Sequence, residues 1–529
     1  MKHIDPRQQI RINDYIIIAE KSWPKNYFRE ISDFDVIKKF YNDSYQNFEN
    51  EIELLLEKFH PASWVRAAYI QLELYTLELH TAHIEKKDLT SVPYLFIPIA
   101  RYGWRYIIEK SLEKLEDYDS EIENEKRPGD ESISKVFTLL IGLNYTNEIS
   151  NYLHFFKDKF NDIKIIFSPS VYSTFPTIKK SDRLFFDNLI KYIGQQVEYA
   201  KFPDFDFRKN KKLLKKINTF LINNFNFVLK DIETILFFLR DKVSVEINAT
   251  NLVIPTDELA ILISERNNLE IEQVQNIINF IFLDTSVFHY QKRDFLRRSQ
   301  NIRMLNYSGC KFKLTNNLRT IYDNESSNWE HIKSAESHSI ISFVVLAEWS
   351  DNFISRLAFG QRTDLKSFSN ILNKEITNIE DYFHRNIFEN AIRNILINKN
   401  IPSLSINKVN KKNIPCGEID ALAVDKENKI LYIIEAKNTA PTKDARAFAK
   451  NIKDHFKQKK YDLKFSNKIN WVKNNLSSIS EIFGIEITND FLIEKYYITG
   501  NPSPIKFLVT DYSVMTFYEF YQIINERYR

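Results

Sequence analysis

Two acids and a lysine stand at the ends of two predicted β-strands in the last third of the chain. Asp420 lies in an alternating apolar and polar segment, 417–424, and Glu435 and Lys437 follow the apolar run 430–434. A short polar stretch separates the two segments, and this pattern predicts a β-hairpin. Side chains alternate along a strand, so Glu435 and Lys437 share a face. Burying such charges beside an apolar strand is costly, so the pattern predicts that they pair with one another or hold a metal.

The order of these elements resembles the active-site motif of the PD-(D/E)xK nuclease superfamily, which includes many restriction endonucleases. Asp420 matches the first aspartate of that motif, and Glu435-Ala436-Lys437 matches its (D/E)xK element. Ile419 stands where the motif name has proline. The resemblance covers residues 376–529. It implies a C-terminal α/β restriction-endonuclease-like domain with a central mixed β-sheet flanked by helices.

The resemblance also implies a chemistry. Members hydrolyse phosphodiester bonds with Mg²⁺, which Mn²⁺ can replace, and hard oxygen ligands suit Mg²⁺. By this resemblance Asp420, Glu435 and the Ala436 carbonyl hold the ion, and Lys437 orients or activates the attacking water. Desolvation and a nearby cation lower the pKa of a lysine in such a position. DNA is the expected substrate, ahead of RNA, because most members cut DNA.

Two further acids are candidates for a catalytic role. Glu418 stands two residues before Asp420, so the strand period places both side chains on one face. Glu389 lies on a helix predicted at 382–392 and resembles the acid that many members place before the hairpin. Each is a candidate for a further metal or water contact, and each also fits a structural role. An ordinary hairpin with solvated or mutually paired charges is the alternative for the motif as a whole.

The rest of the C-terminal region fits an α/β domain. Residues 442–476 predict amphipathic helices, 495–499 and 505–510 predict strands, and 514–525 predict a last helix. Gln458 and Tyr461 are faintly similar to a Gln-and-Tyr helix of some superfamily members, with a spacing one residue shorter. A solvated glutamine and a packing tyrosine are the alternative.

Composition bounds the remaining possibilities. A chain of 529 residues with 43% hydrophobic residues predicts several globular domains and excludes a disordered tail. Two cysteines, Cys310 and Cys416, are too few for a disulfide framework or a cysteine zinc site. The nine glycines form neither a Walker A loop nor a dinucleotide fingerprint. No signal segment or long apolar span is recognised, so we expect a cytoplasmic protein without a membrane partner.

The first two thirds of the chain is predicted to be mainly helical. We divide the chain into a helical region at 1–240, a mixed region at 241–370 and the nuclease-like domain at 371–529. Residues 257–282 predict two helices between strand-like segments at 243–254 and 302–322, which is typical of a winged helix and also of plain core packing. His80 and His83 stand one helical turn apart, and packing is favoured over metal binding because no second ligand pair is present.

Charge is concentrated locally. Residues 376–529 hold 23 Lys and Arg against 18 Asp and Glu, a net charge of +5, whereas the whole chain carries +3. Phosphate binding depends on local clusters, and two clusters outside the nuclease-like region are candidates for nucleic-acid contact or for solvated helix faces. Their basic residues are Arg208, Lys209, Lys211 and Lys212, and Lys292, Arg293, Arg297 and Arg298.

These observations favour a Mg²⁺-dependent DNA endonuclease. A long helical region ahead of a C-terminal nuclease is similar to the layout of bacterial anti-phage defence effectors, in which one part senses and the other cuts. The alternatives are a non-catalytic nucleic-acid-binding or scaffold protein, and a nuclease that is latent until a partner binds. Self-association and a protein partner both stay open.

Overall fold

The chain, described by a computed structural model, divides into two units. The first includes Leu214–Ile354 and described residues up to Ser150, and the second includes Ser355–Arg529. The predicted boundaries at 240 and 370 stay predictions, because compactness alone does not establish independent folding. The structure describes residues 33–85, 87, 92–116, 128–155, 209–245, 251–284, 308–313, 337–359, 369–439 and 445–529.

The described residues before 360 are mainly helical, as the apolar spacing predicts. Their helices bury aromatic side chains, and the Trp104 and Phe137 rings stack with centroids 6.4 Å apart. A Cβ at Gly142 would lie 2.4 Å from the Phe48 ring, so this close helix contact requires glycine. The helices are α1 (Phe34–Leu56), α2 (Pro61–Ile84), α3 (Val92–Glu116), α4 (Asp130–Phe155), α5 (Lys211–Phe225), α6 (Leu229–Val245), α7 (Thr256–Asn267), α8 (Ile271–Ile281) and α9 (Phe343–Ala358).

A four-stranded sheet belongs to the first unit. Its strands are β1 (Asn251–Pro255), β2 (Phe282–Asp284), β3 (Gly309–Lys313) and β4 (Ser337–Ser342), in the order β1-β4-β3-β2. Of the strand-like pattern predicted at 243–254, residues 243–245 end α6, and residues 251–254 lie in β1. The predicted helix pair is present, and Asn268 ends α7 in the left-handed conformation. DNA reading by this pair stays a prediction.

The second unit is built on a mixed five-stranded sheet. Strand β8 (Ile419–Asp425) is antiparallel to β5 (Ser403–Ile406) and β9 (Ile430–Lys437), whereas β10 (Leu492–Thr499) is parallel to β9 and β11 (Ser513–Thr516). Every residue of β8 is buried, and β9 is buried through Ala436. Such continuous burial is expected where helices cover both faces of a sheet. A separate hairpin holds β6 (Lys408–Val409) and β7 (Lys412–Asn413).

Helices and two π-helical segments surround this sheet. The predicted strand at 505–510 is wrong, because Pro504–Phe507 forms a 3-10 helix and the strand occurs later, at Ser513–Thr516. The last helix begins at Phe517, three residues after its predicted start. The remaining helices are α10 (Asn370–Phe383), α11 (Glu389–Ile397), α12 (Ala445–Lys453), α13 (Tyr461–Asn474), α14 (Leu476–Phe483) and α15 (Phe517–Arg527), and the π segments are His384–Phe388 and Asp454–Gln458.

The predicted fold class is confirmed at the level of architecture. A mainly helical N-terminal region precedes a C-terminal mixed sheet flanked by helices. The restriction-endonuclease-like identity of that sheet stays a prediction. Within the described ranges, no helix combines the length and the apolarity that a membrane crossing needs.

Candidate active site

The predicted acids and lysine meet at one end of β8 and β9, two adjacent inner strands of the C-terminal sheet. The paired residues of β8 and β9 extend from Asp425 and Ile430 to Ala421 and Ile434. Asp420 directly precedes Ala421, so it lies at the end of this ladder, beside Glu435. The Ala436 amide donates a hydrogen bond of 2.8 Å to Asp420 Oδ2. The hairpin thus brings Asp420 beside the Glu435-Ala436-Lys437 triplet, as the strand pattern predicts.

Lys437 links the two acids. Its Nζ lies 2.8 Å from Glu435 Oε1 and 3.6 Å from Asp420 Oδ2. Asp420 and Glu435 are only 7% and 4% exposed. Carboxylates this deeply buried need compensating charge, and Lys437 supplies part of it.

Lys468 on α13 is a site residue that the sequence reasoning missed. Its ammonium group pairs with Glu435 Oε2, and the residue is 7% exposed. Its spacing in the sequence could have indicated that it is buried, because Lys468 falls on the same helix face as the buried Phe465 and Val472. A lysine on an apolar helix face needs a buried anionic partner, and Glu435 is that partner.

The pKa of Lys437 is raised, whereas a lowered pKa was expected from the sequence. Burial alone would lower it, but the charges of Asp420 and Glu435 raise the pKa of Lys437 above its ordinary value. The expected lowering is therefore not found in this arrangement, because two carboxylates outweigh desolvation. Lys437 is a charged hydrogen-bond donor here.

Glu389 faces the site from the first turn of α11. Its Oε1 lies 3.4 Å from His384 Nε2, and its Oε2 lies 3.9 Å from Arg393 Nη1. Burial, followed by the charges of Asp420 and Glu418, raises the pKa of Glu389 to about 8. The predicted helix acid is thus close enough to Asp420 and Glu418 to be repelled by both.

Arg393 connects α11 with the end of β8 that carries Asp420. Its Nη1 donates a hydrogen bond of 2.6 Å to the Asp420 carbonyl oxygen, and its Nη2 contacts Asn390 Oδ1. One guanidinium therefore holds the backbone of β8 at the residue that carries the first acid.

Glu418 takes a different place from the one that the strand period predicts. The strand begins at Ile419, so Glu418 precedes it and is exposed. The Ser405 hydroxyl donates a hydrogen bond of 2.8 Å to Glu418 Oε1. The negative charge of Glu418 contributes to the raised pKa of Glu389, so Glu418 lies within electrostatic range of the site, although its side chain is exposed to solvent.

His384 is a second site residue that the sequence reasoning missed. Burial, followed by the positive charge of Lys437, lowers the pKa of His384 to about 4, while Glu435 opposes this shift. The imidazole is therefore neutral at pH 7 and lies within electrostatic range of the acid pair. It begins the π segment before Glu389, and such insertions often occur at functional sites. The apolar pattern around 384 carries no signal for this insertion.

Of the two residues that suggested a Gln-and-Tyr helix, only Tyr461 contacts a predicted site residue. Lys437 Nζ lies 5.7 Å from the centroid of the Tyr461 ring. Gln458 ends the second π segment and is exposed. The contact of Tyr461 is a cation–π interaction at the rim of the site.

The oxygen ligands that Asp420 and Glu435 offer are of the kind that Mg²⁺ prefers. Among the residues that the structure describes, no three His, Cys, Asp or Glu side chains cluster as a metal site. Asp420 and Glu435 supply two carboxylates, and Mg²⁺ usually binds few carboxylates while keeping several waters. The predicted third ligand, the Ala436 carbonyl, belongs to the peptide beside them. Glu435 would share its oxygens between such an ion and two lysines.

The remaining predicted residues belong to other elements or lie outside the described residues. Lys209, Lys211 and Lys212 are exposed around the start of α5. Arg208 and the cluster Lys292, Arg293, Arg297 and Arg298 lie outside the described residues. His80 and His83 both lie on α2, where their side chains are outside the described set. Contact of these residues with nucleic acid or metal stays a prediction.

Comparisons of the chain with protein-family models, curated proteins and solved structures find no match.

Proposed function

We propose that the chain is a Mg²⁺-dependent nuclease of PD-(D/E)xK type that hydrolyses phosphodiester bonds in DNA. The observation that supports this proposal is that Asp420, Glu435 and Lys437 lie together at one end of β8 and β9. Placing two carboxylates side by side in a buried position is unfavourable. A purely structural hairpin gains nothing from that arrangement, whereas a phosphodiesterase needs it.

Each residue has a role that follows from its contacts. Asp420 and Glu435 would hold Mg²⁺, which when bound polarises the phosphate and lowers the pKa of the attacking water. Lys437 donates hydrogen bonds as a cation and so can orient a water or a phosphate oxygen. Lys468 and Arg393 fix the Glu435 carboxylate and the Asp420 backbone, respectively.

The test is cleavage by the purified full chain. Supercoiled plasmid, linear duplex, single-stranded DNA and RNA are incubated with Mg²⁺ or Mn²⁺. We expect metal-dependent cleavage of DNA, which Asp420→Asn abolishes and which Lys437→Met lowers by about 100-fold, as for loss of a charge-stabilising donor. Lys426→Met is the matched control, because Lys426 is exposed in the turn at the far end of β8 from Asp420.

Two results would count against the proposal. Cleavage that persists at the native rate in both Asp420→Asn and Lys437→Met would place the chemistry elsewhere. Binding of nucleic acid without cleavage, with either metal and all four substrates, would favour a non-catalytic nucleic-acid-binding module.

A further inference from the structure

A short β-hairpin follows β5 at the end of the C-terminal sheet where the candidate site lies. Strand β5 ends at Ile406, which pairs with Ile419, the neighbour of Asp420. The hairpin of β6 and β7 spans Lys408–Asn413, between these two paired residues. We call it the basic hairpin. It shares one end of the sheet with Asp420.

The base of the basic hairpin is fixed. Ile406 and Ile414 are buried in the core of the second unit, and Val409 packs against that core. The Ile414 amide donates a hydrogen bond of 3.0 Å to the Asn407 carbonyl. The hairpin therefore has a defined position beside the site.

The outer surface of the basic hairpin is positively charged. Lys408, Lys411 and Lys412 are all exposed, and residues 402–417 contain no acid. No carboxylate of the described residues forms an ion pair with these three lysines, whereas Lys429 pairs with Asp490. Three uncompensated cations on a fixed hairpin attract a polyanion.

The turn of the basic hairpin places a lysine where glycine is preferred. Asn410 and Lys411 have φ values of 51° and 66°, the left-handed conformation of a two-residue type I′ turn. Asparagine tolerates this conformation, but glycine is the usual second residue, because a Cβ is strained there. Lys411 is exposed, so packing does not compensate the strain.

We propose that the basic hairpin contacts the phosphates of duplex DNA beside the bond that is cut, a role that rests on the proposed nuclease function. A two-stranded ribbon fits the major groove of B-DNA, which is about 12 Å wide. The deep, narrow major groove of A-form RNA does not admit such a ribbon. The geometry therefore favours duplex DNA over duplex RNA.

The test measures binding of the full chain to a fluorescent DNA duplex in EDTA at several salt concentrations, so that the result does not depend on cleavage. Each phosphate contact contributes about 0.9 to the slope of log K against log salt. We expect Lys411→Gly to lower this slope by about 0.9 and the affinity at 0.1 M salt by about eightfold. Changing all three lysines, with Lys408→Gln and Lys412→Gln added, lowers the slope by about 2.7.

Stability separates this effect from misfolding. Lys411→Gly removes a strained Cβ, so the free energy of unfolding stays unchanged or rises while binding weakens. Lys429→Gly is the matched control, because Lys429 also has a positive φ, of 54°, but lies in the turn at the far end of β8 and β9. Native binding by Lys411→Gly, or equal weakening by Lys429→Gly, would overturn the proposal.

A duplex RNA of the same length tests the assignment to DNA. We expect RNA to bind more weakly and to respond less to the three lysine changes. Equal losses on both duplexes would overturn the assignment to duplex DNA. A chain that binds DNA through the hairpin but never cleaves it would refute the nuclease function while supporting the contact.

Discussion

The substitution Lys468→Met removes one of two cations from a buried carboxylate. Breaking a buried ion pair usually costs about 3–5 kcal/mol, because the remaining charge is left uncompensated. Glu435 would keep Lys437, whose Nζ lies 2.8 Å from its Oε1. We therefore expect a smaller decrease in the free energy of unfolding, of about 1–3 kcal/mol.

Denaturant unfolding at pH 7 measures this decrease. Lys473→Met is the control, because Lys473 is exposed on the same helix, and its substitution is expected to change the free energy by less than about 0.5 kcal/mol. The double variant Lys468→Met with Glu435→Gln closes a thermodynamic cycle. If the cost arises from an uncompensated Glu435 charge, the double variant is more stable than the sum of the single changes predicts. Additive losses, or a loss no larger than that of Lys473→Met, would refute the reasoning.

Two further predictions concern buried groups. Burial lowers the pKa of His455 from 6.5 to about 4, so its contribution to stability is full above about pH 6.5 and is lost as the pH falls toward 4. This loss amounts to up to about 3 kcal/mol, and we expect His455→Gln to reduce the decrease in unfolding free energy between about pH 7 and 4 by up to this amount, while His384 and His60, whose pKa values are also lowered to about 4, keep their share of it. Gly142→Ala places a Cβ against the Phe48 ring and is expected to lower the melting temperature, at a cost of about 1–3 kcal/mol. Gly129→Ala is its control, since nothing lies within 4 Å of that Cβ, and equal stability of the two variants would contradict the packing argument.

The hairpin of β8 and β9, which carries the candidate site, could be predicted from the sequence. The apolar run at 430–434 predicts a buried strand, and the structure extends it to Lys437. Because β-strand periodicity is local, it also predicts that Asp420 meets the Glu435-Ala436-Lys437 triplet. The contact with Lys468 depends on how α13 packs on the sheet, and a tertiary contact of this kind has no local pattern.

Other elements could not be predicted from the local pattern. The apolar residues of 505–510 suit a strand, but Pro504 begins a 3-10 helix, and the Ser503 side chain caps it. The π segment His384–Phe388 inserts within a continuous helical pattern, so the periodicity does not reveal it. In both places tertiary context overrides local preference.

The connectivity around Glu435 has a kinetic consequence. The contact between Asp420 and Ala436 closes a sequence separation of 16 residues, whereas the contact between Lys468 and Glu435 closes one of 33. A hairpin forms within about 1–10 μs, while longer loops carry a greater closure entropy. The two acids therefore approach each other before the distant cation reaches them. Lys437 belongs to the same hairpin as the two acids and lies beside both of them, so the hairpin forms with one compensating cation and gains the second, Lys468, in a later step.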